Sequence, residues 1–411
     1  MRIHFIGIGG IGVSALAQYY LQKGRDISGS DLVVSETTDF LAQKGVKIMI
    51  GNVAGNITQD IELVIHSPAV KQENPELVQA KKYGIKAITY PQALGSLTRE
   101  YETIAISGSH GKSTTTAMVA LILIKAGIDP TVIVGTKLKE FNNSNFRMGK
   151  SKYLVIEACE YDGSFLHYQP KIEVITNIDK EHLDYFKNFA GVKKAFKDFI
   201  AKLPEDGVLI FNKKVPLREA KKLAKLLQVP GKHNVANAYS ALCVARELGI
   251  DDNISYAALA EFTGTWRRFE IKNILDPRPL TLVSDYGHHP TEVAATFQAA
   301  WEKFPKAKIW CIYQPHQYQR TYYLFKDFVK LFKSAKINQI IITDIYDVAG
   351  RETESINKKI SSEMLVHKIN KKNVRYMPLE AAEIFVKENI KSGEVLIIMG
   401  AGDVYKLVDK F

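Results

Sequence analysis

The chain has 411 residues, 46% hydrophobic and 24% charged, with a formal net charge of +11. That length points to two or three domains with full cores, and no apolar run approaches the ~20 residues of a membrane-spanning helix. The positive charge suits anionic ligands. No zinc-finger spacing or aromatic RNA-binding signature accompanies it, so neither nucleic acid nor a membrane is an expected partner.

The first strand covers residues 3–6 and runs into Gly7-Ile8-Gly9-Gly10-Ile11-Gly12, then a helix to about Gln22. A second strand over 26–30 ends at Asp31, about twenty residues beyond the glycines. This is the dinucleotide fingerprint: a diphosphate on a helix N-terminus, and a ribose or sugar near the acid. Alone it suggests NAD. Stretches over 46–50 and 63–68 follow as strands, the latter ending in a polar turn. A helix near 74–83 and a strand over 85–89 complete the unit, which closes near Thr98-Arg99. A helix cap for Asp31 and an ordinary turn role for His66 remain open here.

A strand over 103–107 then enters Gly108-Ser109-His110-Gly111-Lys112-Ser113-Thr114, and a helix with Met118, Val119, Leu121, Ile122 and Ile124 follows. Strand, glycine loop, lysine and helix N-terminus form a phosphate cradle, with Lys112 for terminal phosphates and the Ser113 hydroxyl for Mg2+. Ile106 stands where the usual pattern has its first glycine, so a Gly/Ser-rich turn with an accidental lysine is the plain alternative. After a stop at Gly127-Ile128-Asp129-Pro130, a strand is expected over 131–134, then one over 153–157 ending in Glu157, an acid placed to complete the Mg2+ shell. A strand over 172–178 leads to Asn177, Asp179, His182 and Asp184, either a second metal site or a capped helix start. A strand over 208–211 and a lysine-rich stretch, read as a solvated helix face, precede Pro230-Gly231. The helix that follows carries Asn234 and Asn237, whose amides suit a base edge, and Arg267-Arg268 suit phosphate.

In the last third, strands over 280–284, 308–313, 339–343 and 395–399 each end in a polar cluster, as parallel strands do when their carboxyl edge faces a ligand. The expected fold class is therefore α/β in three domains: a Rossmann-like unit over 1–98, a P-loop-type central unit over 99–268 and a Rossmann-like unit over 269–411. Cys159, Cys243 and Cys311 are odd in number and far apart, which points away from disulfides. The N-terminus enters a strand without the regions of a signal peptide, so a cytoplasmic location is expected.

With these motifs in order, the chain resembles the Mur ligases from end to end. The matching stretches include Gly7–Gly12, Ser30-Asp31, Gly108–Thr115, Glu157-Ala158-Cys159-Glu160-Tyr161-Asp162, Ser164-Phe165-Leu166, Thr176-Asn177-Ile178 and His182-Leu183-Asp184-Tyr185. They continue with Pro230–Asn234, Arg267–Glu270, Asp285–Glu292 and Gln314-Pro315-His316. The resemblance implies an ATP- and Mg2+-dependent ligase of peptidoglycan synthesis that joins L-alanine to the lactyl carboxylate of UDP-N-acetylmuramate. It implies that Gly9, Gly10, Ile11, Gly12, Asp31, His66 and Ser67 surround the UDP-sugar, and that Gly108, Ser109, His110, Gly111, Lys112, Ser113 and Thr114 hold ATP phosphates. Asn237 would face adenine, Asp285 the ribose and Arg268 the phosphates. Ser113 and Glu157 would hold one Mg2+, and Glu157 and His182 another. Lys112, Glu157, His182, His288 and Arg320 would serve catalysis, with His288, His289 and Arg320 where the amino acid docks. A monomer or homodimer is implied.

The chain departs from the family at Cys159, usually Asp, at Gln317, usually Arg, and at Ser284, the first of two usual aspartates. The stretch 211–230 is short, so central strands are expected to be missing. Competing readings are an NAD-dependent dehydrogenase, a relative that attaches a ready-made peptide, and a non-catalytic nucleotide-binding regulator.

Overall fold

The computed structural model describes residues 1–211, 214–275, 279–347 and 354–411, and the side chains of Asp184, Glu354 and Ser355 also lie outside the described residues. Three sheets form its framework. The first contains β1 (Arg2–Ile6), β2 (Asp26–Asp31), β3 (Lys47–Ile50), β4 (Leu63–His66) and β5 (Lys86–Thr89), in the order β3-β2-β1-β4-β5 and wholly parallel. Ile3, Phe5, Ile6, Val64 and Ile65 are completely buried, as central parallel strands require. Strand order reverses between β1 and β4, and the glycine loop leaves β1 at that switch point, where open α/β sheets bind ligands. Local signals set the helix starts. Asn74 accepts from the Glu76 and Leu77 amides ahead of Pro75, and Thr89 with Gln92 forms a capping box.

The second sheet comprises β6 (Glu102–Ser107), β7 (Thr131–Leu138), β8 (Ser144–Arg147), β9 (Tyr153–Glu157), β10 (Ile172–Ile175) and β11 (Val208–Phe211). Its order is β11-β10-β6-β9-β7-β8, with β8 antiparallel to β7. The strand expected over 131–134 runs on to Leu138. The chain then turns back through Asn142 and Asn143, both at positive φ, into the unforeseen β8. The strand expected over 172–178 stops at Ile175, because Thr176 and Asn177 turn to brace the phosphate loop. Six strands remain despite the short stretch that follows β11. That stretch holds the helix Leu217–Leu226, which buries Leu223 and exposes Lys221, Lys222 and Lys225, the solvated face expected.

The third sheet contains β12 (Glu270–Ile274), β13 (Leu280–Asp285), β14 (Ile309–Tyr313), β15 (Gln339–Ile342), β16 (Val374–Tyr376) and β17 (Val395–Met399), ordered β12-β13-β17-β14-β15-β16. Its four central strands are those read from sequence. The two missed are the edges: antiparallel β12, largely exposed, and three-residue β16.

The described chain gathers into two compact units. One comprises Met1–Asp179, Ala190–Lys214 and Asn237–Leu259 and holds the first two sheets. The other comprises Lys180–Phe189, Val215–Ala236 and Ala260–Phe411 and holds the third. Within the first unit, buried amides pin the helix Ile11–Gln22 to β8. Gln18 Nε2 donates to Asn145 Oδ1 (2.9 Å), Ser144 Oγ to Gln18 Oε1 (3.1 Å), and Asn145 Nδ2 to the Ile11 carbonyl and to Ser14 Oγ.

Candidate active site

The first glycine loop is a turn held by backbone. Gly7 lies at φ 76°, and the Gly7 and Ile8 amides both donate to the Ser30 carbonyl (2.9 and 3.0 Å). Gly10 caps the helix without a side chain, leaving Gly9, Gly10, Ile11 and Gly12 at a helix N-terminus. Asp31 closes over the loop: its Oδ2 accepts from the Gly9 amide (2.8 Å) and its Oδ1 from the Leu32 amide (2.8 Å). A Cβ on Gly12 would sit 2.8 Å from the Tyr90 ring, and one on Gly7 3.2 Å from Ser67 Cβ, so the His66-Ser67 turn does border this loop. His66 is buried with Nδ1 against the Ser67 carbonyl (3.0 Å), and burial lowers its pKa.

The second loop is staked on both sides. Gly108 and Gly111 take φ of 126° and 84°, conformations that favour glycine, and a Cβ on Gly111 would collide with the Asn237 amide. The Ser109 amide donates to the Asn177 carbonyl (3.0 Å), the His110 amide to Asn177 Oδ1 (3.0 Å), and Thr176 Oγ1 to the His110 carbonyl (2.6 Å). His110 Nε2 faces Asp179 Oδ2 at 3.2 Å. Thr114 is buried in the first turn of the helix Lys112–Lys125.

Lys112 Nζ donates to the Gly108 carbonyl (2.5 Å), the Ser109 carbonyl (3.2 Å) and Glu160 Oε2 (3.0 Å). Burial acts to lower its pKa, but Glu160, Cys159 and Glu157 outweigh that and hold it above the usual lysine value. No local pattern marks Glu160 as the partner of Lys112, although it stands three residues beyond Glu157. Cys159, between them, is pushed up to about 11, chiefly by burial and then by Glu160, so it stays a thiol. Ser113 Oγ donates to Glu157 Oε2 (2.8 Å), which also accepts from the Gly135 amide (2.8 Å). The fold therefore brings Ser113 and Glu157 together, while Gly135 could not be foreseen without β7. Asn237 packs beside the loop, and the Asn234 amide is turned inward to the Pro230 carbonyl (2.7 Å).

At the carboxyl edge of the third sheet, Asp285 is buried. Oδ2 accepts from the Phe269 amide (2.8 Å), and Oδ1 from the Gly287 amide (2.7 Å) and Thr296 Oγ1 (3.2 Å); burial raises its pKa. The two arginines expected to act together part ways. Arg267 is buried against Trp266, Tyr286 and Tyr405 and donates to the Gly400 carbonyl, so it braces the fold, whereas Arg268 lies by Glu292 (3.7 Å). His288 and His289 both donate backbone N–H to Glu292 Oε2. Burial lowers the His288 pKa to about 4 from the usual value near neutrality, against the opposing pull of Glu292.

A pocket in the same unit is lined by Lys180, Glu181, His182, Gln317, Arg320 and Tyr323. His182 sits at φ 54° at the start of a four-residue helix. Arg320 donates through Nε (3.1 Å) and Nη2 (2.8 Å) to Glu181 Oε1, and Glu181 Oε2 lies 3.6 Å from His289 Nε2. Burial acts to raise the Glu181 pKa, but Arg320, then His182, His289 and His288, hold it well below the usual carboxylate range. Glu181 was also missed; nothing in a lone acid before a histidine announces a partner 139 residues away.

Three family models match the chain: "Mur ligase family, catalytic domain" over residues 2–102, "Mur ligase middle domain" over 106–229, and "Mur ligase, glutamate ligase domain" over 267–402. The UDP-N-acetylmuramate–L-alanine ligase of Clostridium botulinum (strain Langeland) is 37% identical over 455 aligned positions, covering all of this chain and 97% of the relative. That of Aquifex aeolicus is 38% identical over 453 positions with the same coverage. Both alignments exceed the 411 residues of the chain, so these relatives carry residues without a counterpart here. The crystal structure of the UDP-N-acetylmuramate-alanine ligase of Thermotoga maritima superposes with a TM-score of 0.81 at 28% identity, covering all of this chain and 98% of that one.

Proposed function

The chain belongs to the Mur ligase family, and on that footing we propose that it joins L-alanine to the lactyl carboxylate of UDP-N-acetylmuramate, driven by ATP. The observation that carries this reading is the cradle itself: a lysine, a helix N-terminus, and a hydroxyl–carboxylate pair 2.8 Å apart. An NAD dehydrogenase would leave that machinery without a task.

UDP lies on the amides of Gly9, Gly10, Ile11 and Gly12, with Asp31, His66 and Ser67 around the nucleotide-sugar. ATP phosphates lie along Gly108–Thr114, Asn237 faces adenine, Asp285 the ribose and Arg268 the phosphates. Hard oxygen donors suit Mg2+, and Ser113 Oγ beside Glu157 Oε2 offers two. These residues would hold one ion, Glu157 and His182 another, and the ions would neutralise phosphate charge. Lys112 orients the γ-phosphate, which passes to the lactyl carboxylate to give an acyl phosphate. The amino group of alanine attacks the activated carbonyl, and phosphate leaves. His288 Nδ1 faces the Tyr286 carbonyl (3.1 Å), which keeps the proton there and leaves the Nε2 lone pair to accept the amine proton. Domain boundaries near 98/99 and 268/269, a cytoplasmic location, and a monomer or homodimer complete the proposal.

The test is phosphate release from ATP and Mg2+ with UDP-N-acetylmuramate and, in turn, alanine, serine, glycine and a tripeptide. Release that requires both the sugar nucleotide and an amino acid, fastest with L-alanine, is expected. ATP binding without acceptor-dependent release would reduce the chain to a regulator, and preference for the tripeptide would move it to peptide attachment.

A further inference from the structure

On the proposed reading that the amino acid docks at His288, His289 and Arg320, the Arg320 guanidinium is the group that would take its carboxylate. The side chains of Arg320 and Glu181 are only 8% and 5% exposed. A guanidinium recognises a carboxylate best through two parallel N–H groups along one edge. Nε and Nη2 form such an edge, and both donate to Glu181 Oε1. Nη1 donates to the His316 carbonyl (3.1 Å) and faces His316 Nδ1 (3.1 Å). Every nitrogen of Arg320 is thus committed inside the protein, and no edge has both nitrogens open.

Gln317 lines the same pocket and brings no charge, so an arriving amino acid meets Arg320 as the pocket's one guanidinium among the described residues. Glu181 has somewhere to go. Its Oε2 has no hydrogen-bond partner among the described residues and already lies 3.6 Å from His289 Nε2.

We propose that Glu181 is a positioning residue that occupies the carboxylate seat on Arg320 and is displaced by the carboxylate of the incoming amino acid. The buried guanidinium is then never without an anion: one carboxylate replaces another along its edge, and Glu181 turns toward His289. A side chain that only braced the fold would not compete with a substrate, whereas this one does, so its removal tightens amino-acid binding. An unpaired buried charge is costly, and that cost, borne by the free enzyme of a variant, becomes additional drive for alanine to bind.

The measurement is steady-state phosphate release with L-alanine varied at saturating ATP, Mg2+ and UDP-N-acetylmuramate. Glu181→Gln keeps shape and loses charge. Its KM for alanine should fall about tenfold, with the KM values for ATP and sugar nucleotide unchanged and kcat altered less. An unchanged or raised alanine KM overturns the proposal. Glu181→Asp keeps the charge one methylene further from Arg320; its alanine KM should fall by about threefold. It carries the test should the glutamine variant not fold, and an unchanged or raised KM there is equally fatal. Arg320→Lys separates this idea from its premise. A raised alanine KM is expected, because a point charge lacks the fork. If Arg320→Lys leaves that KM alone, the amino-acid role of Arg320 is lost, and Glu181 displacement with it. If it raises the KM while the Glu181 variants lower nothing, displacement alone is wrong.

Discussion

Both glycine loops leave a buried parallel strand and open a helix in the same compact unit, yet the side chains around them differ, as the proposed division of work between them requires. The first, after β1, has only backbone amides to offer, and its single carboxylate, Asp31, bonds to the Gly9 amide. The second, after β6, adds Lys112, the Ser113–Glu157 pair, and a second acid, Glu160, that holds the lysine. A glycine turn at a helix start is enough to seat a diphosphate. Transferring a phosphoryl group needs charge fixed where charge develops, and only the second loop has it.

The contrast is broken or sharpened most strongly at Lys112. Lys112→Ala should reduce substrate-dependent phosphate release on the order of 10^3-fold, while UDP-N-acetylmuramate binding, measured by calorimetry, stays within about twofold. Equal loss at both sites would mean that the loops do not divide their work. Glu157→Gln comes next. It keeps an oxygen for the Gly135 amide and removes the charge beside Ser113. The Mg2+ concentration for half-maximal rate should rise by at least ~10-fold, since losing even an outer contact of a metal site costs that much. An unchanged Mg2+ titration would take Glu157 out of the metal shell.

Much of this division was legible in the sequence because it rests on local pattern. Glycine spacing, the lysine and the acid at the end of β9 are each set within a strand–turn–helix unit, and the buried strands announce themselves as apolar runs. What was not legible is what depends on distant partners. Glu160 reaches back 48 residues to Lys112, and Thr176 and Asn177 stake a loop nearly seventy residues upstream, ending a strand early. Edge strands β8, β12 and β16 are short or exposed and lack an apolar signature. The low pKa of His288 is likewise invisible in sequence, because burial is its largest cause.

The comparison extends to two buried acids of the same unit, Glu76 on the helix Pro75–Lys82 and Glu173 on β10. Glu76 is fully buried, yet it accepts from Ser30 Oγ (2.6 Å) and Asn56 Nδ2, and Ser30 is the residue whose carbonyl holds the first loop. Glu173, fully buried on β10 between Ala105 of β6 and Leu209 of β11, has no hydrogen-bond partner for either oxygen among the described residues. Burial pushes it up to about 8 from an ordinary 4.5. Between these values the folded chain keeps a proton that the unfolded chain has released. Raising the pH through that window therefore favours unfolding, by about 1.4 kcal/mol per pH unit, and the loss levels off above about 8. Glu173→Leu removes both the proton and the unpaired group. Its melting temperature should exceed that of the parent, with a margin that widens from pH 5 to pH 8 and then stays level, and with activity at pH 7 nearly unchanged. Parallel melting curves across that range would mean that Glu173 is already ionised in the folded chain, and that burial does not hold its proton.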